Sequence, residues 1–77
     1  MSGNVARGIK TILKEKGLRN QYVAEKTGFS QQQFSDLING RKLILAEYLP
    51  GIAQAMGVTV MDIFAAGADD DEKDKSA

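Results

Sequence analysis

Glycines at positions 17, 28, 40 and 57 divide the chain, each closing a segment whose apolar residues recur at helical spacing. Helices commonly end on a residue in the left-handed conformation, which glycine adopts without steric penalty. Stops set this closely allow four short helices and a fifth after Gly57. Nothing alternates with period two, and residues 42–46 read as an apolar loop rather than a strand. At 77 residues the chain holds one compact domain, and two Tyr, three Phe and no Trp leave an aliphatic core. The expected architecture is an all-α, compact five-helix bundle.

The first helix is expected to start from Asn4 as N-cap and run to about Lys16, with Val5, Ile9, Ile12 and Leu13 on one stripe and Arg7, Lys10, Lys14 and Glu15 on the other side. The second covers about Asn20 to Lys26, with Val23 and Ala24 inward. The third starts from a Ser30 N-cap and runs from Gln31 to Ile38 or Asn39, burying Phe34, Leu37 and Ile38. The fourth contains Leu49, Ile52, Ala53 and Met56, and Pro50, tolerable only in a first turn, places its start near Glu47 or Tyr48. The fifth is short, capped by the Thr59 and Asp62 pair, with Ile63 and Phe64 closing the core.

The chain has no Cys and no His, which excludes disulfides, thiolate nucleophiles and most metal and acid-base chemistry, so no metal and no cofactor is expected. Residues 3–11 approach a phosphate-binding loop, but an extra residue separates Gly8 from Lys10 and no strand precedes them. With no nucleophile-base pair and little room for a substrate pocket, the chain does not read as an enzyme, and no small-molecule substrate is expected. No stretch has the length of a signal peptide or membrane span, so a cytoplasmic protein with no membrane partner is expected.

Ten basic residues balance ten acidic ones, which on its face argues against a nucleic-acid partner. The charges are unevenly placed. In residues 69–77 five acidic residues against two Lys leave −3, and in the rest eight basic against five acidic leave +3. Residues 1–67 therefore form a mildly basic domain and residues 68–77 an acidic tail, too poor in large apolar side chains to offset its own ordering and so expected to be disordered. The tail serves either as a solubilising end or as a phosphate mimic competing for the basic face.

Residues 20–39, NQYVAEKTGFSQQQFSDLIN, hold two helices joined by a short turn. Ala24 is small where the helix axes cross, Gly28 turns the chain, and Val23, Phe29, Phe34 and Leu37 face a common core. From about Ile9 to Phe64 the sequence resembles the lambdoid phage repressor and Cro family of helix-turn-helix domains. The resemblance rests on G-L-x-N-Q at Gly17, A-E-K-x-G ending at Gly28, S-Q-Q at Ser30, L-x-N-G at Leu37, I-A-x-A-M-G-V at Ile52 and the later D-I-F. It implies a lambda-repressor-like five-helix bundle that binds operator DNA, usually as a two-fold dimer. Three positions depart from the family pattern. Arg19 stands at a usual Ser or Thr N-cap, with Asn20 as a substitute cap. Thr27 replaces an aliphatic residue. Leu13 and Ile38 stand where many relatives bury an Arg–Glu ion pair, and an apolar pair there avoids desolvating two charges; the two are expected to touch in the core.

With Phe34, Leu37 and Ile38 inward, the opposite face of the third helix carries Gln31, Gln32, Ser35 and Asp36, the expected base contacts. A Gln amide donates to N7 and accepts from the N6 amine of adenine, and the resemblance puts Gln31 and Gln32 on the family's principal reading positions. Asp36 would accept from a cytosine amine or repel wrong sequences. Phosphate contacts are expected from Asn20 or Gln21 at the start of the second helix, then Ser30, Asn39, Arg41 and Lys42. The resulting expectation is a bacterial or phage-encoded, Cro-like transcriptional regulator on double-stranded DNA, acting as a homodimer on half-sites roughly 34 Å apart. Dimer contacts are expected from the end of the fourth helix, the fifth helix and residues 58–66. The competing reading is a protein-binding module such as an antitoxin.

Overall fold

The computed structural model describes the backbone of residues 2–76 and the side chains of residues 4–68. Five α-helices follow one another: α1 Ser2–Lys16, α2 Asn20–Thr27, α3 Gln31–Ile38, α4 Leu49–Met56 and α5 Val60–Ser76, with a 3-10 turn at Ala46–Tyr48 leading into α4. No strand occurs among the described residues. The four punctuating glycines all have left-handed φ, between 68° and 86°. Behind each, the residue after the glycine donates its backbone N–H five residues back: Leu18 to Leu13, Phe29 to Ala24, Arg41 to Asp36 and Val58 to Ala53, at 2.9–3.0 Å. This is one helix-ending motif used four times. In three cases the donor is apolar and packs on the core, as Leu18, Phe29 and Val58 do.

One cluster joins all five helices through Ile9, Ile12, Leu13, Val23, Ala24, Phe34, Ile38, Leu49, Ile52, Ala53, Met56 and Ile63. Leu13 and Ile38 both belong to it, so the place of a buried ion pair is taken by aliphatic carbon. Thr27 keeps its hydroxyl satisfied by donating to the carbonyls of Val23 and Ala24, 2.9 and 3.1 Å away. Phe29 meets Tyr48 edge to face at 5.1 Å, which fixes the α2–α3 turn against the segment before α4.

Four expectations change. The first helix starts at Ser2, so Asn4 lies inside its first turn instead of capping it. The α-helical part of the fourth starts at Leu49, with Pro50 in its first turn, because residues 46–48 wind as a tighter 3-10 turn. The fifth is not short: α5 carries 17 residues, since the Ala-rich stretch after Phe64 favours helix. Phe64 does not close the core. Ile63 is fully buried while Phe64 is 45% exposed, the two being about 100° apart around the helix. The acidic tail is expected from sequence to be disordered over residues 68–77; the backbone of residues 68–76 continues α5, and the side chains at 69–77 lie outside the described residues.

The length of α5 lets it lie antiparallel on α1, the most extensive helix pair in the molecule. Glycine makes the approach possible on both sides. A Cβ on Gly8 would overlap the carbonyl oxygen of Ile63, and a Cβ on Gly67 would overlap the carbonyl oxygen of Asn4. Across the molecule, α2 packs on α3 and α4, which leaves the outer face of α3 uncovered.

Candidate nucleic-acid interface

The third helix owes its direction to its buried stripe. Phe34, Leu37 and Ile38 are all buried, and the other face carries three exposed glutamines together with half-buried Ser35 and Asp36. Its start is fixed by a reciprocal cap: Ser30 Oγ accepts from the Gln33 N–H at 3.1 Å, and Gln33 Oε1 accepts from the Ser30 N–H at 2.9 Å. The three consecutive glutamines are thus unlike. Gln33 is used by its own helix, Gln31 is exposed, and Gln32 is exposed with Nε2 donating to Asp36 Oδ1 at 3.0 Å.

At the other end of α3, the glycine motif that elsewhere tucks an apolar residue onto the core presents Arg41. Its backbone N–H is held by the Asp36 carbonyl at 2.9 Å, and its guanidinium lies 3.8 Å from the Asp36 carboxylate with the side chain 71% exposed. Lys42 also donates its N–H to the Asp36 carbonyl, at 3.2 Å. Two cations are therefore fixed by their backbone beside the end of α3 while their side chains remain at the surface. Asn39 donates to Ser35 Oγ at 3.1 Å and accepts from Lys10 Nζ at 3.3 Å. Lys10 thereby ties α1 to the end of α3.

Helix α2 begins without a side-chain cap, since Arg19 occupies that position with extended backbone and makes no capping bond. Asn20 is consequently the first helical residue and not the substitute cap. Asn20 and Gln21 are both exposed, Gln21 approaching Glu25 at 3.5 Å. The start of α2, the middle of α1 and the end of α3 border one open groove of about 730 Å³, whose wall includes Lys10, Lys14, Asn20 and Asn39 over a floor of Leu13 and Ile38. Four of the six expected phosphate residues thus fall into two sets, Asn20 with Asn39 at the groove and Arg41 with Lys42 beyond it, while Ser30 and Gln21 stand at helix starts. Sequence reasoning missed two participants. Gln33 had a legible signal, the S-x-x-Q spacing from Ser30. Lys10 had none, because its partner lies 29 residues away.

A helix-turn-helix with an uncovered second helix and basic edges is the arrangement on which the comparisons with known proteins bear. The model of the family described as Helix-turn-helix matches residues 9–63. The chain belongs to that family. It is a helix-turn-helix protein of the repressor and Cro type, a class of DNA-binding transcriptional regulators. Over 59 residues, 77% of each chain, it is 36% identical to the uncharacterized HTH-type transcriptional regulator y4dJ of Sinorhizobium fredii. Among solved structures it resembles the clp gene regulator ClgR of Corynebacterium glutamicum. One structure of ClgR superposes with a TM-score of 0.84 at 25% identity, covering 90% of both chains. Another gives 0.87 at 23% identity over 97% of this chain and 80% of that one, a likeness of fold. Among the described residues, no single helix of this helix-turn-helix protein is long and apolar enough to cross a membrane.

Proposed function

We propose that the protein is a sequence-specific regulator whose α3 enters the major groove of double-stranded DNA, with Gln31 and Gln32 reading bases and Ser35 and Asp36 on the same face. Asn20, Gln21, Ser30, Asn39, Arg41 and Lys42 hold the phosphates and set the register. Residues 1–67 are the DNA-binding domain and residues 68–77 an acidic appendage. Two copies act as a homodimer on a palindromic operator, in the cytoplasm of a bacterium or a phage-infected cell, as a Cro-like repressor without catalytic activity. The observation that carries this reading is the pair of exposed amides, Gln31 and Gln32, in the first turn of a helix whose opposite face is buried.

Selection of bound duplexes from a random library tests it. A palindromic consensus with half-sites about one helical turn apart is expected. Gln31→Ala is expected to change the consensus at one base pair per half-site. Arg41→Ala instead weakens all sequences alike and flattens the dependence of log K on log salt by about 0.9 for each phosphate left unneutralised. If neither substitution alters binding to any duplex, the DNA reading is wrong.

A further inference from the structure

Asp36 lies between two residues assigned to DNA. Its carboxylate accepts from Gln32 Nε2 at 3.0 Å and stands 3.8 Å from Arg41, and only 16% of its side chain is exposed. Its carbonyl holds the backbone N–H groups of Arg41 and Lys42. An ionised carboxylate accepts hydrogen bonds and cannot donate them, so the nitrogen of the Gln32 amide, and not its oxygen, must face Asp36. The orientation of the amide is thereby fixed before any base arrives.

A glutamine amide has two N–H donors and one carbonyl acceptor. With one N–H engaged by Asp36, Gln32 offers a base pair one donor and one acceptor. The major-groove edge of adenine presents the complement, an N7 acceptor beside an N6 amine donor. Guanine presents two acceptors, N7 and O6. A glutamine with both N–H groups free can donate to both. One held by Asp36 would set its carbonyl oxygen against a guanine acceptor, leaving polar groups unpaired. We infer that Asp36 is a specificity-determining positioning residue, which occupies one N–H of Gln32 and so restricts that side chain to adenine without itself touching a base. The assignment rests on Gln32 reading DNA as proposed above. The Arg41 guanidinium, 3.8 Å from the carboxylate, offsets part of the negative charge that Asp36 brings to this surface.

The experiment selects duplexes from a random library with the full chain as wild type, Gln32→Ala, Asp36→Ala and Asp36→Asn. Gln32→Ala identifies the base pair that Gln32 reads. There the wild type is expected to select adenine, and Asp36→Ala to lose about tenfold of its preference for adenine over guanine with the other base pairs unchanged. Asp36→Asn keeps a side-chain oxygen but adds an N–H donor that can face either end of the Gln32 amide, and is expected to weaken the preference for adenine by less than Asp36→Ala does. A merely structural role for Asp36 would lower the melting temperature or weaken every sequence equally and would not move one base pair's preference. The inference is overturned if Asp36→Ala leaves that preference intact. It is equally overturned if the preference changes instead at a base pair that Gln32→Ala does not affect, which would make Asp36 a direct reader. A wild type that selects no sequence defeats the DNA reading and the inference with it, a result distinguishable from both.

Discussion

Three side chains of one chemical type stand at 31, 32 and 33, and position alone separates their work. Gln33 is spent on the N–H of Ser30, while Gln31 and Gln32 remain exposed. Truncating the cap at either member therefore affects stability, and truncating a neighbour affects recognition. Gln33→Ala and Ser30→Ala are each expected to cost about 1 kcal/mol, a fall of about 4–8 °C in Tm for a domain of this size. Gln33→Ala should leave the selected base sequence unaltered. Thermal melting combined with duplex selection checks both parts, and a shifted consensus for Gln33→Ala would remove it from the purely structural role. The cap was legible, because its S-x-x-Q spacing follows from how far a side chain reaches along one helical turn. The Lys10–Asn39 bond was not, because only the folded packing of α1 beside α3 brings those residues together.

Helix ends proved easier to read than helix contacts. Positive φ is nearly a monopoly of glycine, so Gly17, Gly28, Gly40 and Gly57 announce their role in any context. Gly8 and Gly67 use a different property, the absence of a Cβ at a crossing, and a glycine inside a helix looks from sequence like a weak point. The length of α5 is hidden in the same way, since what Gly67 contributes is a close contact with α1 that only the fold reveals. Phe64 reads as inward beside Ile63, but the two lie about 100° apart around the helix and only Ile63 falls on the buried stripe. The crossing gives a prediction with an opposed control term. Alanine in place of a mid-helix glycine gains about 1 kcal/mol of helix propensity, but here its methyl meets a backbone carbonyl that cannot rotate away. Gly8→Ala and Gly67→Ala are each expected to destabilise the fold by about 2–3 kcal/mol net, measured by urea unfolding. An increase in stability would show that the helices are free to separate.

For the molecule as a whole, formal neutrality hides a basic domain joined to an acidic end. The apolar surface is uneven as well: on α5, Met61 is 74% and Phe64 45% exposed, within the segment assigned to dimer contacts. Met61→Glu is expected to leave the melting temperature of the isolated chain nearly unchanged, as exposed sites usually do. It should shift sedimentation toward monomer and lower affinity for a palindromic duplex by about 100-fold or more, through lost avidity. Unchanged sedimentation and affinity would place the partner surface elsewhere. The α1–α5 crossing also bears on how the molecule comes into being. Its two helices lie at opposite ends of the sequence, so its contacts are among the least local this fold can make, and closing so large a loop carries an entropic cost that short-range helix pairs avoid. Synthesis releases α1 first and α5 last of the five. The nascent chain therefore holds an unmatched α1 until translation has passed Gly67, and the α1–α5 crossing closes only after α2, α3 and α4 have been made.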